Sequence, residues 1–275
     1  MTDAGMTDAG AGRTLQGVVS VVAGGSSGIG RAVVERFIEH GSAVEFAAND
    51  PEGVRNLEHD LTERGADARG SVLDASDAVQ VQQFMDDVAQ RRGQLGALVN
   101  SIGIQRYGTV ESTSPATWDE VFAVNLKSMF LMAKYAVPLM RRNGGGSIVN
   151  VSSAQAIASQ RNVVAYTASK GAIVAMTRAM AVDHAAEGIR VNCVCPGSID
   201  TPMLRAAAND VSPEGPERVI AEWGSMHPIG RVGTPGEVAD VVLYLAGPFS
   251  SFVTGAELRV DGGLLAGVAL VAPRE

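Results

Sequence analysis

The sequence predicts an α/β fold: one doubly wound parallel sheet with helices on both faces. Three observations predict it. Short β-branched runs alternate with helical stretches from residue 18 onward. Several of those runs are mostly apolar, as strands covered on both faces are expected to be. The repeated order strand, helix, strand calls for right-handed crossovers between parallel neighbours. The 275 residues show no break in composition, so a single domain over 14–275 is expected.

The elements follow in order. The apolar run 18–22 is the first strand, followed by a glycine-rich turn and a helix that opens at Arg31 and stops at Gly41. The run 43–47 is the second strand. Asp50-Pro51 then supplies a cap and a first-turn proline for a helix that Gly65 ends. The third strand is 68–73, with a helix over 77–90 stopped by Gly93. After the strand 97–100, Ser114-Pro115 opens a long helix over 115–142. The strand 147–151 leads to a helix over 163–187 ended by Gly188, then the strand 190–194. The segment 202–230 breaks the rhythm with two short helical pieces around Pro213 and Pro216; its place near the carboxyl ends of the strands suits a substrate lid. Thr234-Pro235 with Glu237 makes a capping box for a last helix, and 258–260 is the final strand.

Composition narrows the function. Apolar residues at 46% against 19% charged exclude a disordered chain. With 22 Lys and Arg against 30 Asp and Glu, the net charge of -8 argues against nucleic acid as a partner. No run approaches the roughly 20 apolar residues that cross a membrane. Residues 1–13 repeat Met-Thr-Asp-Ala-Gly, lack the basic and apolar regions of a signal peptide, and read as a loose tail. Cys193 and Cys195 are expected to point to opposite faces of a strand, unbridged, in a reduced, cytoplasmic setting. His40, His59, His184 and His227 are placed on helix ends or loops without ligand spacing, so no metal site is expected.

The first turn reads Gly24-Gly25-Ser26-Ser27-Gly28-Ile29-Gly30, between a strand and a helix start. In that context backbone N–H groups and the positive helix end hold a pyrophosphate, so the sheet is read as Rossmann-like. At the end of strand two, Ala47-Ala48-Asn49-Asp50 offers no basic residue for a 2′-phosphate, which leans toward NAD over NADP. Asp50 reads either as a ribose ligand or as the cap before Pro51. Asp74 could accept from the adenine amino group or cap the helix over 77–90, and Ala75 adjoins it. Tyr166 and Lys170 lie one turn apart on a helix. An ammonium close to a phenol should lower its pKa and let the pair move a proton at a substrate oxygen.

With Ser153 thirteen residues before Tyr166 and Asn125 on the preceding long helix, the chain from Val18 to Gly263 resembles the short-chain dehydrogenase/reductase family. The resemblance rests on residues 23–30, Asn100-Ser101-Ile102-Gly103, Asn125, Ser153, Tyr166-x-x-x-Lys170, Pro196-Gly197 with Thr201, and Asp261-Gly262-Gly263. It implies an oxidoreductase moving a hydride between NAD or NADP and an alcohol or ketone. Tyr166 would be the general acid/base and Ser153 would bind the reacting oxygen. Lys170 would bind the nicotinamide ribose, and Asn125 would hold a relay water. It also implies coenzyme contacts at Gly24, Ser26, Ser27, Gly28, Ile29, Gly30, Asn49, Asp74, Ala75, Asn100, Gly103, Tyr166, Lys170, Pro196, Ile199 and Thr201. Ala23, Ser101, Ile102, Ala48 and Asn49 depart from the family's usual residues.

Gln105, Gln155 and Trp223 are candidate substrate contacts, and an amide pair would suit a polyol or sugar. Met176 and Met180 are read as core or subunit contacts, and Trp118 is placed in the first turns of a helix. A rival reading is a 3-oxoacyl carrier-protein reductase, for which Arg141, Arg142 and Arg161 are the candidate basic patch; another is a dinucleotide-binding regulator without turnover. By resemblance a homotetramer is expected, with the long helices and last strand at its contacts, and with the tail 264–275 covering a neighbouring subunit's site.

Overall fold

Alternating side chains along each strand divide the interior into two cores. Val21, Leu98 and Ile148 point to one face, Val22, Val99 and Val149 to the other, and all are fully buried. This computed structural model describes residues 14–267. The expected tail 1–13, and 268–275 of the C-terminal tail, lie outside the described residues.

The chain runs β1 (Val19–Ala23), α1 (Gly28–Glu39), β2 (Ala43–Ala48), α2 (Pro51–Glu63), β3 (Ala68–Val72), α3 (Ala78–Arg92), β4 (Ala97–Asn100), α4 (Pro115–Phe122), α5 (Ser128–Arg142), β5 (Gly146–Val151), α6 (Val164–His184), β6 (Ile189–Pro196), α7 (Pro202–Val211), α8 (Pro216–Ser225), α9 (Pro235–Ala246) and β7 (Glu257–Val260). The strands form one seven-stranded sheet in the order β3-β2-β1-β4-β5-β6-β7, every pair parallel. The order reverses between β1 and β4, and a crevice opens at the carboxyl ends of those strands.

Local chemistry sets the boundaries. Asp50, Asp77, Ser114, Thr201 and Thr234 each accept a backbone N–H at a helix start, and Thr234 with Glu237 completes the capping box. Gly93 closes α3 in the left-handed region that other residues avoid.

Four expectations need correction. The helix over 115–142 is not continuous: a π-turn at Ala123–Lys127 separates α4 from α5, and Asn125 sits within it. Asp77, not Asp74, caps α3; Asp74 instead accepts from the backbone and hydroxyl of Ser76. His59 lies inside α2 rather than at an end or loop. Cys193 and Cys195 do not point to opposite faces. A strand has a period of two, so residues two apart share a face; both thiols are free and pack in one cluster with Val174.

Candidate active site

The glycine turn is shaped by contacts that admit no side chain. A Cβ on Gly30 would lie 2.0 Å from the Gly24 carbonyl oxygen, so only glycine lets α1 start this close to the end of β1. Gly24 and Gly25 both donate to the Ala47 carbonyl, at 2.7 and 3.1 Å, tying the turn to β2. Ser27 is the N-cap of α1, yet its side chain caps nothing and no acid stands in the first turn. Five other helices spend a side chain on that task. The unspent N–H groups of α1 therefore face the crevice, where a dinucleotide's pyrophosphate fits their charge and the bare backbone.

The crevice is a cavity of about 830 Å³. Ala48, Asn49, Asp74 and Ala75 line one end, and Gly24, Ser26, Ser27, Gly28 and Ile29 line the middle. Gly103, Ser153, Tyr166, Lys170, Pro196, Ile199 and Thr201 line the other end, with Gln105, Gln155 and Trp223 beyond. Three expected site residues stand behind this wall. Gly30 packs against Gly24. Asn100 is fully buried and donates to the Asn150 side chain at 2.8 Å; Asn150 in turn donates to Thr177, which joins β4, β5 and α6. Asn125 is also fully buried. Asp50 caps α2 and is absent from the lining.

Around the candidate proton-transfer group the contacts are specific. Lys170 Nζ donates to the Val151 carbonyl at 3.0 Å and sits 5.6 Å from the centre of the Tyr166 ring. The Ser153 hydroxyl oxygen accepts the Gln155 N–H at 3.0 Å, which leaves its own hydrogen to donate toward the Tyr166 phenol oxygen or the cavity. Asn125 accepts the Ile104 N–H at 2.7 Å and donates to the Ile104 carbonyl and Ser169 hydroxyl, each at 3.0 Å. Its amide hydrogens are both used, which fixes the loop after Gly103. Thr201 spends a lone pair capping α7 through the Leu204 N–H.

The electrostatics differ from expectation. Lys170 does not bring the Tyr166 phenol down: burial holds it above its ordinary value, with the Ser153 hydroxyl pulling weakly the other way. Burial instead lowers Lys170 from 10.5 to about 8. In the free protein the phenol keeps its proton at neutral pH.

Further residues line the cavity without a clear signal in the sequence. Ile104 and Tyr107 follow β4, beyond the motif residue Ile102 that also lines the wall, while Met203, Leu204, Ala207 and Val211 form one face of α7. That helical spacing was the available signal for α7. Leu264 and Leu265 line this chain's own cavity. Trp118 stacks on Phe122 at 4.6 Å and does not line it. Met180 packs against the core. Arg141 is paired with Glu187 at 2.8 Å.

Comparison with known proteins agrees with this geometry. A family model described as enoyl-(acyl carrier protein) reductase matches residues 23–265. The chain is 37% identical over 251 residues to L-fucose dehydrogenase of Mus musculus, covering 90% of this chain and 88% of that one. It is 36% identical over 251 residues to 3-oxoacyl-[acyl-carrier-protein] reductase of Thermotoga maritima, covering 91% and 99%. The ligand-free aldohexose dehydrogenase of Thermoplasma acidophilum superposes with a TM-score of 0.88 at 38% identity, covering 96% of this chain and all of that one. The chain belongs to the short-chain dehydrogenase/reductase family of oxidoreductases, which act on CH–OH groups with a nicotinamide coenzyme.

Proposed function

We propose that the protein is an NAD-preferring dehydrogenase/reductase of a neutral polyhydroxy compound, a polyol or sugar. One observation carries the reading: among the described residues lining the cavity, Lys170 is the only Lys or Arg. At the adenosine end no Lys or Arg among the described lining residues stands beside Asn49 to meet a 2′-phosphate, and Asp74 would repel one. At the substrate end, Lys170 apart, no described lining residue is a Lys or Arg that could pair with a carboxylate, sulfonate or phosphate. Uncharged acceptors and donors are present instead. Gln105 lines the wall, and Gln155 Oε1 is buried with no hydrogen-bond partner among the described residues. A hydroxyl group is the natural donor for that oxygen.

When bound, the nicotinamide ring supplies or takes up the hydride; the chain's residues do the rest. The N–H groups at the start of α1 would hold the pyrophosphate, and Asn49, Asp74 and Ala75 would flank the adenosine. Lys170, steadied by the Val151 carbonyl, would bind the ribose. Tyr166 keeps its proton in the free protein and gives it to the substrate oxygen during reduction. Ser153 donates its hydroxyl hydrogen to the same oxygen as charge develops there. In oxidation Tyr166 takes the proton back from the substrate hydroxyl. Asn125 would hold its relay water through the second lone pair of Oδ1 or through its main-chain carbonyl, since both amide hydrogens are occupied.

Helices α7 and α8, packed together through Ala208, Val219 and Ile220, would form the lid. Exposed Phe130 and Val182 on α5 and α6, and Phe249 and Phe252 before β7, support a homotetramer. The two buried free thiols support a cytoplasmic setting.

The test is initial-rate assay with NAD and NADP against neutral sugars and polyols, sugar acids and a 3-oxoacyl thioester. Turnover of a neutral polyol or sugar with NAD is expected. Faster turnover of the thioester, whose reading the Thermotoga relative and exposed Arg161 favour, would replace this proposal. Coenzyme binding with no turnover would point to a regulator.

A further inference from the structure

His227 lies between α8 and α9, is 3% exposed, and uses both ring nitrogens. Nε2 accepts the Ser198 N–H at 3.1 Å, and Nδ1 lies 2.9 Å from the Trp223 carbonyl. An N–H can only donate and a carbonyl can only accept, so one species satisfies both: the neutral imidazole with its proton on Nδ1. A Cβ on Gly197 would stand 2.8 Å from Nε2, so the ring occupies the space that glycine leaves open.

The segment so held is the one on the nicotinamide end of the cavity. Its other ties are Gly197 N–H to the Val260 carbonyl at 3.0 Å, Gly233 N–H to the Ser198 carbonyl at 2.9 Å, and Asp200 N–H to the Gly233 carbonyl at 2.8 Å. These use Ser198 and Asp200. Alternate residues of an extended segment face opposite ways, so the Ile199 amide is left on the other edge. Trp223, the second partner of the ring, lines the cavity from α8.

We propose that His227 is a positioning residue: its Nδ1–H imidazole latches α8 to the 197–200 turn and sets the Ile199 amide for the coenzyme's carboxamide. The proposal rests on the reading that this turn receives the nicotinamide end. Without the ring, the Ser198 N–H has lost its acceptor and α8 is released from the turn.

Three measurements test it. Calorimetric titration with NADH compares the native protein, His227→Phe, which keeps a ring but neither hydrogen bond, and His227→Gln, which restores an acceptor. His227→Phe should raise the NADH Kd about tenfold or more, and His227→Gln should recover most of that loss. With a substrate in hand, KM for the coenzyme should rise more than kcat falls. Nitrogen NMR of the native protein should show the Nδ1–H tautomer, a reading that needs no variant to fold. Should His227→Phe not fold, Gly197→Ala, whose Cβ presses on Nε2, should give the same loss of NADH affinity. Unchanged NADH affinity in a folded His227→Phe, or an Nε2–H tautomer, would overturn the latch. Native protein that binds no dinucleotide would overturn the functional reading instead, and the tautomer then decides the latch alone.

Discussion

Replacing Lys170 with Met separates what the ammonium does for chemistry from what it does to the fold. Its Nζ is buried between Tyr166 and the Val151 carbonyl, and burial lowers its pKa from 10.5 to about 8. That fall corresponds to about 3 kcal/mol against the charged form, at about 1.4 kcal/mol per pH unit. Below pH 8 both folded and unfolded chains carry the charge, and the folded chain bears the whole burden. Between about 8 and 10.5 the unfolded chain binds more protons, so stability rises with pH as the burden lifts. Met fills the same space without charge. The lost hydrogen bond to Val151 costs the variant about 1–2 kcal/mol at every pH, which displaces its curve without tilting it. Urea denaturation of both proteins from pH 7 to 10.5 gives the comparison. The variant's stability relative to the native protein should fall by about 3 kcal/mol across that range, while its turnover is lost throughout. A relative stability that stays flat with pH would refute the burial argument.

Tyr166→Phe should abolish turnover while leaving NADH affinity within about threefold, because the phenol oxygen contacts substrate rather than pyrophosphate; calorimetry with a rate assay checks both halves. Gly30→Ala should destabilise the protein by about 3 kcal/mol in urea denaturation, since its Cβ would fall 2.0 Å from the Gly24 carbonyl oxygen, backbone that cannot move aside. Gln155→Leu should lower kcat/KM for a neutral polyhydroxy substrate about tenfold or more, and leave a mono-alcohol lacking the matching hydroxyl nearly unchanged. Equal loss on both would remove Gln155 from substrate recognition.

The fold was legible because β-branched, mostly apolar runs such as Val19–Ala23, interrupted only by Ser20, suit strands covered on both faces, and because glycine and capped proline starts punctuate them. The glycine turn and the Tyr166–Lys170 pair were legible because spacing along a helix or turn fixes relative position. The π-turn at Asn125 was hidden: it inserts into a helix without disturbing the side-chain types on either side. Asn100 belongs to the family's motif, yet its side chain turns toward Asn150, a direction set by the neighbouring strand that linear sequence does not reveal. The order of effects at Tyr166 was misjudged because proximity of a lysine is readable from spacing, whereas burial of both groups is a property of the assembled core. His227 escaped for a related reason. Trp223, within α8, is only four residues before it, but Ser198 is 29 residues away and meets the ring only in three dimensions.

The uncapped beginning of α1 has a consequence outside catalysis. A helix end whose donors wait for an external anion is finished only when that anion arrives, so the dinucleotide completes the architecture as well as serving the reaction. Because binding energy adds to folding energy, the survival of the enzyme against heat and proteases will track the local supply of dinucleotide, gaining about 2.7 kcal/mol at a hundredfold excess over Kd. Scarcity of the coenzyme would thus thin the population of the catalyst itself, coupling abundance to redox supply with no separate regulator.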